Sequence, residues 1–392
     1  MRNTVSEDIS VSKGDGIRVV MLLNYLPIHF LSYLRLLALR LPNLTFLLSE
    51  TMDAGREWNP DFGDLDVIVQ KSIPIRIKHR HPYGFEYGSR MLIPVSTFSD
   101  LRKLKPDVVV SLEVGARTLQ ALLLKYLGLK YRLIVQVRES EISALSRGGL
   151  RMSLRKWVLP RVDRVLVNGE SGKRHVIACG VRPDRISVVA SGTDLAAFGK
   201  TTKTSPENGS LRVLYVGALI ERKGIVGFAR LFADEVSRVA INVTWTLVGR
   251  GPEREKLEQI ALPANLRISI IDALEYKALA TEYSNHDVFV MPSLCDEWGM
   301  VVNEAMVSGL PVLGCTGSQA VEEMVIPGVA GWTYAPGDEP GMRLAIRQML
   351  SLAQTDLIVM GLAAARRAYE FSDENSADQM LLAIRSTMEA AD

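Results

Sequence analysis

The chain has little cysteine and little histidine. Three cysteines in 392 residues (Cys179, Cys295, Cys315) form no CxxC pair. That excludes a disulfide framework or a cysteine-ligated metal, and fits reduced, packed thiols. The five histidines (29, 79, 81, 175, 286) have no ligand spacing, and His79 and His81, flanking Arg80, read as solvated loop positions. The formal charge of +2 gives no global drive toward nucleic acid. No run reaches the ~20 apolar residues of a membrane span. The nearest, Leu26 to Leu48, carries His29, Arg35 and Arg40 and is broken by Pro42. Residues 1–16 are polar and lack the apolar core of a signal peptide. The expected location is cytoplasmic, so the sequons at Asn43, Asn208 and Asn242 read as chance. No strand is followed by GxGxxG, which disfavours a dehydrogenase, and "GRG" (249–251) is too short to replace it.

What is abundant is apolar material, 47% of the chain. Short β-branched runs recur at 17–25, 44–50, 66–70, 106–113, 131–138, 164–169 and 185–192, with helical patterns such as 116–128 between them. Continuous apolarity fits strands covered on both faces, and the alternation is the βαβ rhythm of a parallel, doubly wound sheet. Polar residues 198–210 read as a linker. The rhythm then restarts at 211–219, 242–251, 266–272, 288–293, 311–315 and 331–336. Ala377, Met380, Leu381, Ile384 and Met388 share one face of a last helix. The division is a tail at 1–16, a domain at 17–197, the linker, a second domain at 211–370 and a C-terminal helix at 371–392. Two such domains leave a cleft between them, with ligands beyond the carboxyl ends of the strands.

One stretch stands where a ligand loop belongs. "CDEWGMVVNEAMVSGLPV" (295–312) follows a strand-like run and sets Asp296 and Glu304 eight residues apart around Gly299. A helix starting at Gly299 and Met300 offers free N–H groups to a phosphate, and glycine lets the backbone come close. Were both acids helical they would lie ~12 Å apart, too far to grip one atom but suited to two ends of an extended ligand. The plain alternative is a capping acid and a solvated helix acid. It is weaker for Glu304, which sits among Val301, Val302, Ala305 and Met306.

"PSLCDEWGMVVNEAMVSGLPV" resembles the signature loop of glycosyltransferase family 4, retaining enzymes of GT-B fold that use nucleotide sugars. The family has Glu where this chain has Asp296, and Glu297 is out of register by one. "VLYVGALIERKG" (213–224), "LVGRGPEREKL" (247–257), "YSNHDVFVMPS" (283–293) and "GVAGWTYAPGD" (328–338) resemble further family segments. The resemblance implies two doubly wound Rossmann-like domains facing across a cleft, with the C-terminal helix packing back on the first. It assigns the donor to Gly217, Arg222, Gly299, Met300, Val301 and Glu304, and catalysis to Asp296 and Lys223. Lys223 falls on the family's diphosphate lysine, where a cation would neutralise the leaving group. The family arginine is replaced by Ala218, and Arg222 stands near enough to compensate. The usual paired glycines after the first strand are missing from "NYLPIHF" (24–30). Where the family has a histidine near the reacting centre, "VRESE" (137–141) offers Glu139 and Glu141. Ser111 and Glu113 end another strand and face the same choice between site and surface. "DLD" (64–66) matches a metal-binding acid pair but introduces a strand in the wrong domain.

The expected reaction is transfer of a hexosyl group from a nucleotide diphosphate sugar to a hydroxyl of a glycan or lipid-linked acceptor, with retention, in polysaccharide or glycolipid synthesis. No metal and no resident cofactor are called for. The basic run 147–164 could rest on an anionic membrane surface at the inner leaflet; its plain reading is an exposed helix. Two rivals stand beside this one: a sugar-nucleotide epimerase on the same fold, and a nucleotide-binding protein without turnover.

Overall fold

In a computed structural model the protein is described over residues 16–27, 30–52, 61–199 and 210–389. The tail up to residue 15 and residues 200–209 of the expected linker lie outside the described residues. The linker's two ends belong elsewhere. Phe198 is fully buried in the core of the second half, and Ser210 opens a strand.

The first sheet is built from β1 (Val19–Leu23), β2 (Leu44–Leu48), β3 (Asp66–Val69), β6 (Val108–Leu112), β7 (Arg132–Val137), β8 (Arg164–Val167) and β9 (Ile186–Val188). Its strands are all parallel, in the order β3-β2-β1-β6-β7-β8-β9. The second is built from β10 (Ser210–Val216), β11 (Asn242–Val248), β12 (Leu266–Ile271), β13 (Val288–Met291), β14 (Val312–Cys315) and β15 (Gly331–Tyr334). It too is parallel, in the order β12-β11-β10-β13-β14-β15. Each order reverses once, between β1 and β6 and between β10 and β13. β1, β2 and β13 are buried along their whole length, as continuous apolar runs between helical layers must be.

One element departs from the sequence reading. β4 (Ser72–Arg80) and β5 (Glu86–Pro94) form a separate antiparallel hairpin. Its signal was period-2 alternation, Ile73, Ile75 and Ile77, ahead of a turn closed by Gly84 at φ +87. The hairpin packs against the helix Ala116–Tyr126 and walls the first sheet's ligand end. The last helix, Asp373–Glu389, lies against Leu31–Arg40, with Ala377, Met380, Ala383 and Ile384 in the first half's core and Arg40 paired to Asp378 at 2.6 Å.

Candidate active site

In the second half the order reversal places two loops side by side, 217–224 after β10 and 292–299 after β13. Hydrogen bonds join them: Leu294 N–H donates to the Arg222 carbonyl at 3.1 Å, and Arg222 Nη1 to the Cys295 carbonyl at 2.6 Å. Glycines allow this closeness. A Cβ on Gly249 would lie 1.9 Å from the Gly217 carbonyl oxygen, and one on Gly251 2.2 Å from that of Leu219. "GRG", set aside in the sequence, is therefore the backbone support of the 217–224 loop.

The loops bring three of the predicted residues together. Lys223 Nζ pairs with Asp296 Oδ2, and Arg222 Nη1 lies 3.2 Å from Asp296 Oδ1. Burial alone would raise the Asp296 carboxyl, but Lys223 and then Arg222 outweigh it and hold it below its ordinary value. Two cations and one carboxylate leave one positive charge at the cleft. The expected helix begins after Gly299, at Met300–Val307. Gly299 has φ +110, and a Cβ there would meet Ser318 Oγ at 2.7 Å and Met291 Cε at 2.8 Å, so only glycine fits. No side chain caps the first turn, leaving the amides of Met300 and Val301 for a ligand. Glu304 is buried and accepts a hydrogen bond from the Tyr283 hydroxyl at 2.8 Å. Burial pushes its carboxyl up to about 7. Next to it, Trp298 Nε1 donates to Asn303 Oδ1 at 2.8 Å and Asn303 Nδ2 to the Ser191 carbonyl at 3.0 Å, tying this helix to the crossing between the halves.

The first half presents a different surface across the cleft. A cavity of about 250 Å³ opens at the reversal between β1 and β6, lined by Asn24, Tyr25, Glu113, Arg138 and, from the other half, Glu297. A second, of about 490 Å³, shares Asn24, Glu113 and Glu297 and extends under the hairpin. Glu113 has φ +62, a left-handed backbone that non-glycine residues adopt mostly where function or packing imposes it. Its Oε1 accepts from the Arg138 amide at 2.7 Å, while Oε2 is buried and has no partner among the described residues. Burial, with the charges of Glu139 and Glu297, pushes the carboxyl up to about 8, so Glu113 is neutral near pH 7. Gln319 Nε2 crosses the cleft to the Arg138 carbonyl at 2.7 Å and also holds the Glu297 carbonyl at 2.5 Å.

Three expectations are corrected here. Glu139, proposed for catalysis, has a side chain with no exposed surface, gripped by Arg155 at 2.5 and 2.7 Å and by Arg147 at 2.5 Å. Burial opposes its charge, but Arg155 and Arg147 win and hold its carboxyl low. Its contacts are structural. Second, the basic run 147–164 does not present all its charge outward: Arg147 and Arg155 turn in to Glu139, while Leu150 and Trp157 are exposed. Third, His79 and His81 are buried; His79 stacks on Tyr87, and His81 stacks on Phe85 and meets the Ile142 carbonyl at 2.9 Å. The sequence reading left Glu113 undecided between site and surface, and passed over Glu297 as a cleft residue and the arginines beneath the hairpin. The place of Glu113 directly after the strand at which the order reverses favours the site over the surface. Arg147, Arg151 and Arg155 had no such signal, because the hairpin that encloses them was missed. Among the described residues no three His, Cys, Asp or Glu side chains cluster as a metal site, and no single helix is long and apolar enough to cross a membrane.

Two parallel sheets of this order, facing across a cleft, define a GT-B glycosyltransferase. Residues 54–197 match the model described as Glycosyltransferase Family 4, and residues 210–352 the one described as Glycosyl transferases group 1. The chain belongs to glycosyltransferase family 4. It is 27% identical over 249 residues to the D-inositol 3-phosphate glycosyltransferase of Geodermatophilus obscurus, covering 59% of this chain and 54% of that one. It is 29% identical over 253 residues to the protein of the same name from Mycobacterium tuberculosis, covering 60% and 51%. The chain thus spans about half the length of these relatives. Among solved structures it is similar to a glycosyltransferase from Rickettsia africae (TM-score 0.70, 12% identity, 96% of this chain and 100% of that) and to Anabaena HepE in complex with UDP (TM-score 0.69, 15% identity, 94% and 100%).

Proposed function

We propose that the chain transfers a hexosyl group from a nucleotide diphosphate sugar to a hydroxyl, with retention. The observation that carries this is the meeting of Lys223, Arg222 and Asp296 beside the uncapped helix start at Gly299. The diphosphate lies over Gly299, Met300 and Val301, and Glu304, one turn further on, takes the ribose hydroxyls. In the resting site Asp296 neutralises Lys223. When the donor binds, the lysine and Arg222 turn to the diphosphate, whose charge grows as the C1–O bond to phosphate breaks. The acceptor oxygen bonds to C1 from the same face, and its proton passes to the departing phosphate oxygen. No side-chain nucleophile and no metal enter this scheme. The UDP and UDP-glucose in the Anabaena structures support a nucleotide-sugar donor, and the relatives' name supports a polyol hydroxyl as one form of acceptor. We place the acceptor against the first half and the reaction in cell-surface polysaccharide or glycolipid synthesis, at the cytoplasmic face of the membrane.

The test is a thermal-shift screen against UDP-, GDP- and ADP-sugars, since a ligand bound only by the folded state raises Tm by mass action. The donor it selects is then incubated with and without acceptors, and the product anomer read by NMR. An inverted anomer, or an altered sugar in the donor-only tube, would overturn the reading.

A further inference from the structure

The helix Gln354–Ala368 carries apolar side chains on two faces. One face belongs to the fold. Leu357, Met360, Gly361, Ala364 and Ala368 are buried, and the helix packs against Met300–Val307. A Cβ on Gly361 would lie 2.2 Å from the Gly309 carbonyl oxygen, so only glycine fits that contact. The other face is open. Ile358, Val359, Leu362 and, one residue past the helix end, Tyr369 are between 46% and 65% exposed. At 3.6 residues per turn these four fall within about 100° of one another. A surface helix ordinarily turns polar residues outward, and a contiguous exposed apolar stripe marks an interaction surface.

The charges at the two ends of this stripe say what covers it. Asp356 lies in the first turn and Arg366 in the last, and both are exposed. Among the described residues neither makes an ion pair or a side-chain hydrogen bond. Arg367, the next residue, is engaged: it donates to the Glu323 carbonyl at 2.9 Å and pairs with Glu370. Asp356 and Arg366 stand about 15 Å apart along the axis, on the same side of Leu362. A two-fold axis level with Gly361 would lay a second copy of the helix antiparallel to the first. The apolar stripe would then meet itself, and each Asp356 would face Arg366 of the partner subunit, as an isologous contact requires. A helix dipole also favours an acid at its start and a base at its end. Placement of both charges beside an exposed apolar stripe is what makes the face complementary to itself.

We propose that this helix is the contact face of a homodimer, packed antiparallel on the same helix of a second copy, with Ile358, Val359 and Leu362 at its centre and two Asp356–Arg366 pairs at its rim. The inference is independent of the transferase reading. Burial of the apolar stripe supplies the affinity. The rim pairs, exposed and screened, fix direction and register more than they add strength. One helix pair is a small interface, so the dimer is a weak, concentration-dependent one.

The experiment is sedimentation velocity of the full chain from about 1 to about 100 μM, the range in which a weak dimer dissociates. The wild type should show a monomer–dimer equilibrium. Leu362→Glu sets two carboxylates together at the axis and should raise the dimer Kd at least about tenfold. Its site is exposed, so Tm should hold. Asp356→Arg opposes arginine to arginine and should weaken the dimer as well. Asp356→Arg/Arg366→Asp restores opposite charges across the axis and should return the Kd toward that of the wild type. Were the two charges placed for the helix dipole alone, reversing both would lower Tm more than reversing one and leave association unchanged. A wild type that stays monomeric across the range overturns the proposal. So does a dimer that Leu362→Glu leaves intact, or a double variant no tighter than Asp356→Arg. Flotation with vesicles of phosphatidylcholine and phosphatidylglycerol adds one more outcome: Leu362-dependent retention of a monomeric wild type would give the face to a membrane and overturn the dimer.

Discussion

The two sheet ends of this molecule are built by the same topology, and their charges are arranged differently. At β10 and β13 the charges lie on two adjacent loops and pair with one another beside the uncapped helix start at Gly299. Lys223, Arg222 and Asp296 can each exchange a protein partner for a ligand. In the first half the strongest pairs join Glu139, whose carboxylate has no exposed surface, to Arg155 and Arg147 at the cavity wall, and a buried acid and further arginines share that cavity. A charged pair at a loop surface is a reactive device. A pair whose carboxylate has no exposed surface holds architecture, because removing either partner strands the other. The difference teaches that depth, more than residue type, separates chemistry from support here.

The comparison can be broken most forcefully at Glu139. Glu139→Ala leaves Arg147 and Arg155 without their carboxylate in a buried setting, and a loss of about 3–5 kcal/mol in stability is expected. Urea denaturation measures it. The protein that remains folded should bind nucleotide diphosphate as well as the wild type does. A stable variant with dead chemistry would move Glu139 from support back to the reaction.

Lys223→Ala should do the reverse. Tm should change little, while kcat falls on the order of a hundredfold to a thousandfold and KM for the donor rises much less. The double variant Lys223→Ala/Asp296→Ala refines this. If the lysine mattered only as Asp296's partner, removing both would restore activity; acting on the leaving group, it leaves the double variant just as slow.

Next come the two acids of the signature. Glu304→Ala should weaken the bare nucleotide diphosphate and the intact donor alike, by about 1.5–3 kcal/mol if a charged hydrogen bond to ribose is lost. Asp296→Ala should spare the bare nucleotide, which gains access to two freed cations, and lower affinity for the intact donor and turnover. Calorimetry on both variants decides, and equal loss of bare nucleotide in the two would overturn the proposal that Glu304 meets the ribose and Asp296 the transferred sugar.

Legibility followed the same division. The strands of the two parallel sheets stand in the sequence as short apolar runs, most plainly β1, β2 and β13, which are buried along their whole length, while the edge strands β3, β9 and β12 keep apolar residues despite partial exposure. The loop and helix start at 295–307 were readable because Asp296, Gly299 and Glu304 lie within one short segment, where spacing is geometry. The first-half cavities were not. Glu113, Arg117, Arg138 and Arg151 come from separate elements and meet only through the fold, and β4 and β5 were overlooked because a half-exposed hairpin alternates instead of running apolar. Glu139 was misjudged for the same reason: its partners, Arg147 and Arg155, sit on a later segment whose inward turn no local pattern announces.

The last comparison probes that hidden half through protons. Unfolded, Glu113 should titrate near the ordinary glutamate value of about 4; folded, burial and the nearby charges of Glu139 and Glu297 move it to about 8. Between those values the native state holds a proton that the unfolded chain has released. Stability from this group is therefore complete below about pH 4 and declines as pH rises toward the folded value, with a slope of at most ~1.4 kcal/mol per pH unit. Glu304, raised to about 7 by burial, adds a decline of the same sign that ends earlier. Glu113→Gln keeps a neutral group of similar shape and should flatten the Tm profile above about pH 7, where Glu304 no longer contributes, while leaving nucleotide affinity untouched. Glu304→Gln should flatten it only at lower pH. A Tm profile for Glu113→Gln parallel to the wild type across the whole range would mean that Glu113 is ionised in the folded protein, and that the first half faces the cleft with a charge after all.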